Sequence, residues 1–274
     1  MPQKISIITI NYNNKKGLEK TIQSVVCQTE IDYEFIVIDG GSTDGSKELL
    51  ESYLEKLDYW VSEPDVGVYN AMNKGIKAAT GDFVIFMNSG DSFYDASVLE
   101  KVSPLLVDDF DIYYGDNYKI KPHSKRKKTY PEKLSFSFFY SSCINHQSTF
   151  IRRQLFFDYF LYNETFKIIS DWEFFIYTIC VENRPYKYLK ITICNYDFTG
   201  ISSTKEHRAI IELEKQAVFD KYFPFFIEEY KLVSVFKSKR IQQLLYIKKF
   251  KLPWKLFKGI INFLAIFTTK KVNK

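Results

Sequence analysis

The chain has 274 residues, 46% of them apolar and 18% aromatic, which is enough for one large domain with or without an appendage. Its net charge of +5 is uneven, because 12 Lys and Arg residues and no acidic residue follow position 230, whereas 26 basic and 33 acidic residues precede it. Cys27, Cys143, Cys180 and Cys194 lack metal-ligand spacing, and the first apolar run is too short for a secretory signal, so we expect buried free thiols in a cytoplasmic protein rather than a secreted disulfide scaffold.

Strands and helices alternate over the first 90 residues. Apolar runs predict four strands, at Lys4–Ile10, Tyr33–Asp39, Leu57–Val61 and Phe83–Met87. Helical spacing predicts helices between them, at Lys16–Cys27, from a cap at Ser42–Asp44 to Leu54, and at Tyr69–Ala79. This alternation predicts an α/β fold with a mostly parallel central sheet and flanking helices.

The alternation ends after Asp111–Tyr114. Tyr118–Lys121 and Lys127–Tyr130 predict a hairpin whose solvated turn carries Lys125–Lys128, a basic run too short and isolated to indicate a nucleic-acid partner. Further along, Ser170–Cys180 predicts a helix, Tyr186–Cys194 a strand and Lys205–Tyr222 a helix. We expect a catalytic domain over residues 1–222, with halves 1–115 and 116–222, and a basic amphipathic helical tail over residues 223–274.

Polar residues follow each of the first four predicted strands, where ligands bind in open α/β sheets. They are Thr9, Asn11 and Asn13 at the end of the first strand, Asp39 at the end of the second, Glu63 and Asp65 beyond the third, and Asn88, Ser89 and Asp91 beyond the fourth. Turn formation explains any one of these loops. It explains four consecutive ones poorly, so we interpret this edge as a ligand site.

Asp91 is the strongest single candidate for a metal ligand, and Gly90 before it allows close approach of a bound molecule. Mg²⁺ commonly binds one or two protein carboxylates together with substrate phosphates. The other interpretation, a helix cap, suits Asp95 better, so we predict that Asp91 binds a divalent cation, Mg²⁺ or Mn²⁺.

Four segments together resemble an inverting glycosyltransferase of family 2 with the GT-A fold. They are Ile5–Asn14, Phe35–Ser46, Ser62–Ile76 and Gly81–Asp91. The resemblance implies that Thr9, Asn11 and Asn13 line the nucleoside pocket, that Asp39 contacts the base, and that Asp65, Asn73, Asn88 and Ser89 lie on the donor side. Asp91 matches the last acidic residue of the family's DxD metal motif, whose first acidic residue is absent here.

The second half resembles the family more loosely. His146–Arg153 is similar to the segment bordering the acceptor site, which makes His146 and Gln147 possible acceptor contacts. Asp171 matches the catalytic base, with Glu173 as a rival carboxylate. Ser202 and Ser203 belong to a segment similar to a loop that closes over the donor diphosphate, and His207 is a further possible diphosphate or metal ligand.

The basic tail interleaves Lys with apolar residues over Lys248–Lys258 and is then almost wholly apolar over Gly259–Thr269. That run is shorter than the roughly 20 residues that span a bilayer. It favours peripheral contact with the inner face of the cell membrane and fits a lipid-linked acceptor. The other interpretation is a helix packed on the catalytic domain.

Together these features predict a polysaccharide or glycan assembly enzyme that moves a sugar from a nucleotide donor, with UDP favoured, to a glycan or lipid-linked hydroxyl. A dinucleotide-dependent oxidoreductase is disfavoured because no G-x-G-x-x-G follows the first strand. A non-catalytic scaffold stays open as the alternative, although the presence of both Asp91 and Asp171 favours an enzyme.

Overall fold

A computed structural model describes residues 3–29, 32–197 and 207–267 of the chain. Nine strands of one sheet lie in these ranges: β1 Ile5–Asn11, β2 Tyr33–Asp39, β3 Tyr59–Ser62, β4 Phe83–Phe86, β5 Ser92–Phe93, β6 Ile112–Lys121, β7 Ser124–Lys128, β8 Thr149–Arg152 and β9 Tyr186–Asp197. The sheet is mixed but mostly parallel.

Helices in the same ranges are α1 Lys15–Val26, α2 Ser46–Glu51, α3 Val68–Ala78, α4 Val98–Val102, α5 Phe136–Ser141, α6 Leu155–Asp158, α7 Ser170–Ile176, α8 Arg208–Tyr222, α9 Ile227–Phe236, α10 Lys239–Ile247 and α11 Lys251–Ala265. Short 3₁₀ turns occupy Leu54–Lys56, Ser103–Leu105 and His146–Ser148, and a π-helical turn, Tyr177–Val181, follows α7. The α/β architecture predicted from the sequence is therefore confirmed.

The sheet has the order β3-β2-β1-β4-β8-β6-β9-β5, with β7 paired to β6. The first four strands are parallel. Strands β1, β2 and β4 are almost wholly buried, as their largely apolar sequences require, whereas β3 lies at the end of the sheet and is partly exposed. The chain moves outward from β1 to β2 and β3, then returns to place β4 on the other side of β1. Ligands bind at such a reversal of strand order, so we expect the ligand site beside the loops after β1 and β4.

The second half of the sheet contains both antiparallel and parallel strand pairs. β8 runs antiparallel to β4 and β6, whereas β9 runs parallel to β6 with a register shift around Gly115. This arrangement carries β9 back to β5, where Ser92 pairs with Asn195 directly after Asp91. Residues from the second half of the chain are thereby brought to the site formed by the first half.

Several local predictions need correction. The basic run is not in the hairpin turn: Lys121 pairs with Ser124, so Pro122 and His123 form the turn and the basic residues form β7. Lysine-rich sequence is well suited to a strand at a sheet edge, because charge discourages further pairing. Helix α7 also ends earlier than predicted, because the chain widens into the π-helical turn after Ile176.

The predicted cap of α2 is also wrong. The helix begins at Ser46 behind Gly45, which has a left-handed conformation with a φ of 88°. Asp44 instead accepts hydrogen bonds from the backbone N–H groups of Ser46 and Lys15, at 3.1 and 2.7 Å, and so ties α2 to the start of α1. Ser42 is used elsewhere, in the site described below.

The cysteine prediction is correct in that all four thiols are free and wrong in that only Cys194 is buried. Cys27 is exposed, and Cys143 and Cys180 are partly buried. Core volume around strands β1, β2 and β4 is filled by Ile, Val and Phe, so packing does not require the other three thiols there.

The chain divides into two compact units, residues 1–217 and residues 218–274. The first contains the sheet and its flanking helices. The second contains the end of α8 and the helices α9, α10 and α11. The predicted boundary after residue 222 stays a prediction. Within the described ranges, no helix is both long enough and apolar enough to cross a membrane.

Candidate active site

Asp39 is the centre of a hydrogen-bond cluster at the carboxyl ends of β1, β2 and β3. One carboxylate oxygen accepts from Asn11 Nδ2 at 2.7 Å and Ser42 Oγ at 2.6 Å, and the other accepts from Ser62 Oγ at 2.6 Å and the Ser42 backbone N–H at 2.9 Å. Burial raises the pKa of Asp39, but the hydrogen bonds from Ser42, Ser62 and Asn11 outweigh it, so its pKa is lowered and it stays ionised. The cluster fixes the loops that follow three strands.

Asn13 and Asp65 border this cluster. Asn13 has a positive φ of 47°, and its side-chain oxygen accepts from the Thr43 backbone N–H at 2.9 Å. Asp65 accepts from the Gly67 backbone N–H at 2.9 Å and lies over Gly40, where an added Cβ would meet its carboxylate at 2.5 Å. Both side chains are therefore placed beside the Asp39 cluster.

Thr9 and Asn73, which were predicted to contact the nucleotide-sugar donor, form hydrogen bonds within the protein. Thr9 is fully buried, and its hydroxyl donates to the Met87 carbonyl at 2.8 Å. Asn73 is buried, donates to the Tyr162 carbonyl and Glu164 carboxylate, both at 2.8 Å, and accepts from the Tyr162 backbone N–H at 3.0 Å. In this structure Thr9 joins β1 to the end of β4, and Asn73 fastens α3 to the segment before α7.

The loop Asn88–Asp91 is held against the start of α1. Ser89 donates to the Asn14 carbonyl at 3.1 Å, Lys20 Nζ donates to the Gly90 carbonyl at 2.6 Å, and Thr21 Oγ1 donates to the Asp91 carbonyl at 2.7 Å. Gly90 has a φ of 102°, a conformation that disfavours a side chain. The loop after β4 is thus fixed by contacts with the segment that follows β1.

Asp91 is 3% exposed, and its carboxylate accepts from the Asp197 backbone N–H at 2.8 Å and bonds to the Gln147 side chain. Burial raises the pKa of Asp91 to about 7; the Asp197 N–H, His146 and Gln147 lower it, and the neighbouring Asp197 charge raises it. A carboxylate whose charge is this poorly solvated gains from a nearby cation.

Asp197 is a further acidic residue of this site, which none of the sequence motifs includes. It ends β9, and an added Cβ at Gly90 would lie 3.2 Å from its carboxylate, so Asp91 and Asp197 bring two acidic groups to one loop. A signal was available, since Asp197 lies just before the segment that resembles the diphosphate loop. Only the return of β9 to β5 reveals the pairing.

The carboxylate oxygens of Asp91 are suitable ligands for a hard divalent cation that also binds phosphate. Among the described residues no group of three or more His, Cys, Asp and Glu side chains surrounds a common point. Mg²⁺ and Mn²⁺ sites completed by substrate phosphates need only one or two protein carboxylates, which Asp91 and Asp197 could supply.

Asp171 lies at the start of α7, and two hydrogen bonds hold its carboxylate. His146 Nδ1 is 2.8 Å from one oxygen, and the Tyr69 hydroxyl donates to the other at 3.1 Å. Asn88 Nδ2 lies 3.1 Å from His146 Nε2. A continuous path therefore joins the loop after β4, through His146, to Asp171 on α7.

His146 lies near both predicted acidic residues, because it bonds to Asp171 and also acts electrostatically on Asp91. Asp171 is 16% exposed and can meet a substrate, whereas Glu173 is 2% exposed and points into the interior with its neighbours on α7. Of the two rival carboxylates, Asp171 is the accessible one. Gln147 is buried against Asp91, while Ser202 and Ser203 lie outside the described residues. His207 directly precedes α8.

A family profile described as "Glycosyl transferase family 2" matches residues 6–167. The chain belongs to glycosyl transferase family 2. It is 30% identical over 206 residues to a PGL/p-HBAD biosynthesis glycosyltransferase of Mycobacterium bovis, covering 73% of this chain and 79% of the relative. It is also 30% identical over 226 residues to an uncharacterized glycosyltransferase of Mycobacterium tuberculosis, covering 81% and 86%. The predicted family and enzyme class are confirmed.

Solved structures show the same GT-A fold. TarS of S. aureus matches with a TM-score of 0.64 and 20% identity, over 92% of this chain and 77% of that one. Its complex with UDP-GlcNAc matches with a TM-score of 0.64 and 19% identity, over 91% and 76%. The mannosyltransferase PcManGT of Pyrobaculum calidifontis, bound to GDP-Man and Mn²⁺, matches with a TM-score of 0.56 and 13% identity, over 97% and 86%. The predicted fold class is thereby confirmed.

Proposed function

We propose that this family 2 enzyme transfers a sugar, with inversion, from a nucleoside diphosphate sugar to an acceptor hydroxyl, with Asp171 as the general base. The observation that carries the proposal is the accessible Asp171 carboxylate, held by His146 and Tyr69 and joined to the Asp91 loop through Asn88. The acceptor oxygen bonds to the anomeric carbon as the bond to the diphosphate breaks. Its proton passes to Asp171.

The donor is proposed to bind along the loops that follow β1 to β4. Asn11, Asn13, Asp39 and Asp65 converge there. The Asp39 carboxylate is fully buried and accepts four hydrogen bonds within the protein, so it would hold the loops in place, while the exposed Asn13 and the half-buried Asp65 would meet the nucleobase. We propose UDP as the nucleotide, because the TarS structures include complexes with UDP and with UDP-GlcNAc. Asn88 and Ser89 would border the sugar and diphosphate.

We propose that Asp91, with Asp197 beside it, holds Mn²⁺ or Mg²⁺ against the donor diphosphate. The bound cation would offset negative charge on the departing nucleotide. Support comes from the raised pKa of Asp91, which burial brings to about 7, and from the PcManGT complex with GDP-Man and Mn²⁺. Asp91 itself would orient the diphosphate relative to Asp171.

A glycan or lipid-linked acceptor and peripheral contact with an anionic membrane complete the proposal. In α11, Lys251, Lys255, Lys258 and Asn262 recur at the spacing of one helix face. On the opposite side, Leu252, Leu256 and Phe263 are 70%, 64% and 61% exposed. A helix with separate lysine and apolar faces suits the membrane interface.

The base assignment is tested with Asp171→Asn. We expect turnover of UDP-GlcNAc, measured as UDP release with Mn²⁺ present, to fall by roughly 10²–10⁴-fold, because proton removal by a positioned base contributes that much. Thermal stabilisation by UDP should persist, since the donor loops lie elsewhere. Asp158→Asn, at an exposed acidic residue of α6, is the matched control and should behave as wild type.

Equal turnover by wild type and Asp171→Asn would refute the base assignment. If UDP-GlcNAc is not turned over, the same comparison is repeated with the nucleotide sugar that gives the largest thermal shift among UDP, GDP and dTDP donors. A wild type that binds a donor but releases no nucleotide from it would indicate the non-catalytic alternative.

A further inference from the structure

His146 lies between the Asp91 loop and α7 and contacts both. Its Nε2 is 3.1 Å from Asn88 Nδ2, and its Nδ1 is 2.8 Å from Asp171 Oδ2. The ring is 15% exposed and meets the Phe86 ring edge-on, with centroids 6.0 Å apart. We propose that His146 and Tyr69 are positioning residues that hold the Asp171 carboxylate in one orientation for proton removal. The inference rests on the proposed role of Asp171.

We assign the tautomer of His146 from its two partners, the Asn88 amide at Nε2 and the Asp171 carboxylate at Nδ1. The Asn88 amide N–H donates to Nε2, so Nε2 carries the lone pair and Nδ1 carries the proton that is donated to Asp171. His146 is then neutral and acts as a donor to the carboxylate. Its only basic nitrogen is occupied by Asn88. The ring therefore orients Asp171 and does not itself take the acceptor proton.

Tyr69 supplies the second donor from a different element. It lies at the start of α3, is 4% exposed, and donates to Asp171 Oδ1 at 3.1 Å. Burial, together with the nearby Asp171 charge, raises the pKa of Tyr69 well above its usual value, so the hydroxyl keeps its proton. Each carboxylate oxygen thus has one fixed protein donor and retains a lone pair for the acceptor hydroxyl.

The segment before His146 is itself fixed. Lys128 Nζ donates to the Cys143 carbonyl at 2.8 Å and to Asn145 Oδ1 at 3.0 Å. The Tyr130 hydroxyl donates to Asn145 Oδ1 at 2.6 Å and accepts from the Asn145 backbone N–H at 3.1 Å. Bonds on both sides of Asn145 restrict the backbone that presents the imidazole. This rigidity is what positioning of a catalytic group requires.

Two replacements of His146 separate its two bonds. His146→Asn places an amide N–H near the position of Nδ1 and keeps the donor to Asp171. His146→Gln reaches the position of Nε2, keeps a partner for Asn88 and loses the donor to Asp171. We expect kcat within about threefold of wild type for His146→Asn and roughly 10–100-fold lower for His146→Gln, the effect of one hydrogen bond to a charged group. The donor KM should be unchanged in both.

Tyr69→Phe removes only the second donor and gives an independent measurement if a His146 variant does not fold. We expect kcat to fall by roughly tenfold at constant donor KM, with a Tm close to wild type. A purely structural role for these residues would instead lower Tm and affect His146→Asn and His146→Gln alike. Equal kcat for the two His146 variants, or a rise in donor KM without a fall in kcat, would overturn the inference.

Asp171→Asn is measured in the same assay to separate the two proposals. If Asp171→Asn matches wild type, the proposed function fails. If Asp171→Asn is inactive while His146→Gln and Tyr69→Phe both match wild type, only the positioning inference fails.

Discussion

At the scale of single residues, burial destabilises the negative charge of the Asp91 carboxylate, which a bound cation would offset. The carboxylate is 3% exposed, and no arginine or lysine forms an ion pair with it among the described residues. Backbone and amide donors from Asp197 and Gln147 only partly replace the lost water. A folded-state pKa of about 7, against an unfolded value near 3.9, means that ionising Asp91 costs stability in the apoprotein.

The raised pKa of Asp91 makes the stability of the apoprotein depend on pH. Because its folded pKa is raised, the folded protein holds the Asp91 proton more tightly, and stability falls as pH rises from about 4 to about 7. In Asp91→Asn this loss is absent. Without metal, we expect the Tm of Asp91→Asn to gain on that of wild type across this window, by roughly 2–4 °C for each kcal/mol, as measured by calorimetry.

At pH 7.5 a bound cation should reverse the order of the two Tm values, so that wild type becomes more stable than Asp91→Asn. With UDP present, Mn²⁺ is expected to raise the Tm of wild type by mass action and to leave Asp91→Asn unchanged. Asp95→Asn removes an exposed carboxylate from the same region, where it pairs with Lys101, and should keep the Mn²⁺ response. An equal Mn²⁺ response in Asp91→Asn and wild type would exclude Asp91 as the metal residue.

At the scale of elements, the β6–β9 pair decides how the two halves of the site meet. The two strands run parallel with register shifts between Tyr114 and Asn117, and β9 continues to Asp197 beside Asp91. An added Cβ at Gly115 would lie 2.4 Å from the Ile191 carbonyl oxygen and 2.6 Å from the Ile193 side chain. The close approach of these strands therefore requires glycine at position 115.

Gly115→Ala should destabilise the sheet by roughly 1–3 kcal/mol, because a backbone atom cannot move aside as a side chain can. Measured by urea unfolding, the change should appear in the transition midpoint. Gly259→Ala is the matched control: its added Cβ meets nothing within 4 Å and lies in α11, so alanine should leave the sheet unaffected and favour the helix by roughly 1 kcal/mol. A Gly115→Ala protein as stable as wild type would show that β6 and β9 can separate without cost.

At the scale of the whole molecule, the strongly basic part of the sequence lies within the second of the two compact units. The unit formed by residues 218–274 contains all 12 basic residues of the acid-free stretch that begins at Lys231. In α11 those lysines occupy one face and leave a broad apolar face exposed. Exposed apolar surface beside lysines is typical of a helix that lies in a membrane interface.

The tail prediction is tested by vesicle sedimentation with the full chain. Changing Lys251, Lys255 and Lys258 together to Glu should weaken binding to phosphatidylserine vesicles at least roughly 100-fold, since each lysine contributes about 1 kcal/mol near an anionic surface. Changing Lys121, Lys125 and Arg126 to Glu alters the net charge equally but in the β6–β7 hairpin, and should have a small effect. Equal losses for the two variants would indicate attraction by net charge alone, and binding unaffected by the tail variant would refute the membrane role of α11.

Much of the fold could be predicted from the sequence because its signals are local. Mainly apolar runs indicate strands of a parallel sheet, and the predicted bounds of β1 to β4 lie within two residues of the observed ones at each end. Asn11 and Asp39 end β1 and β2, and Asp91 follows β4; their position at one sheet edge follows from parallel strand direction alone. The family resemblance added Asp171 through a matching motif. The α2 cap and the basic turn were misplaced because local propensity cannot show that Ser42 bonds to Asp39 or that Lys121 pairs with Ser124.

The sequence by itself determined the α/β class, the polar edge and the separation of an acidic body from a basic tail, since each depends on composition and spacing over a few residues. Only the tertiary structure decided which distant residues touch: Asn88 with His146, His146 and Tyr69 with Asp171, and Asp197 with Asp91. The last three of these contacts join residues 25 to 106 positions apart. The physical reason is that β9 must pair with β6 before it can reach β5, and no local pattern records such a path.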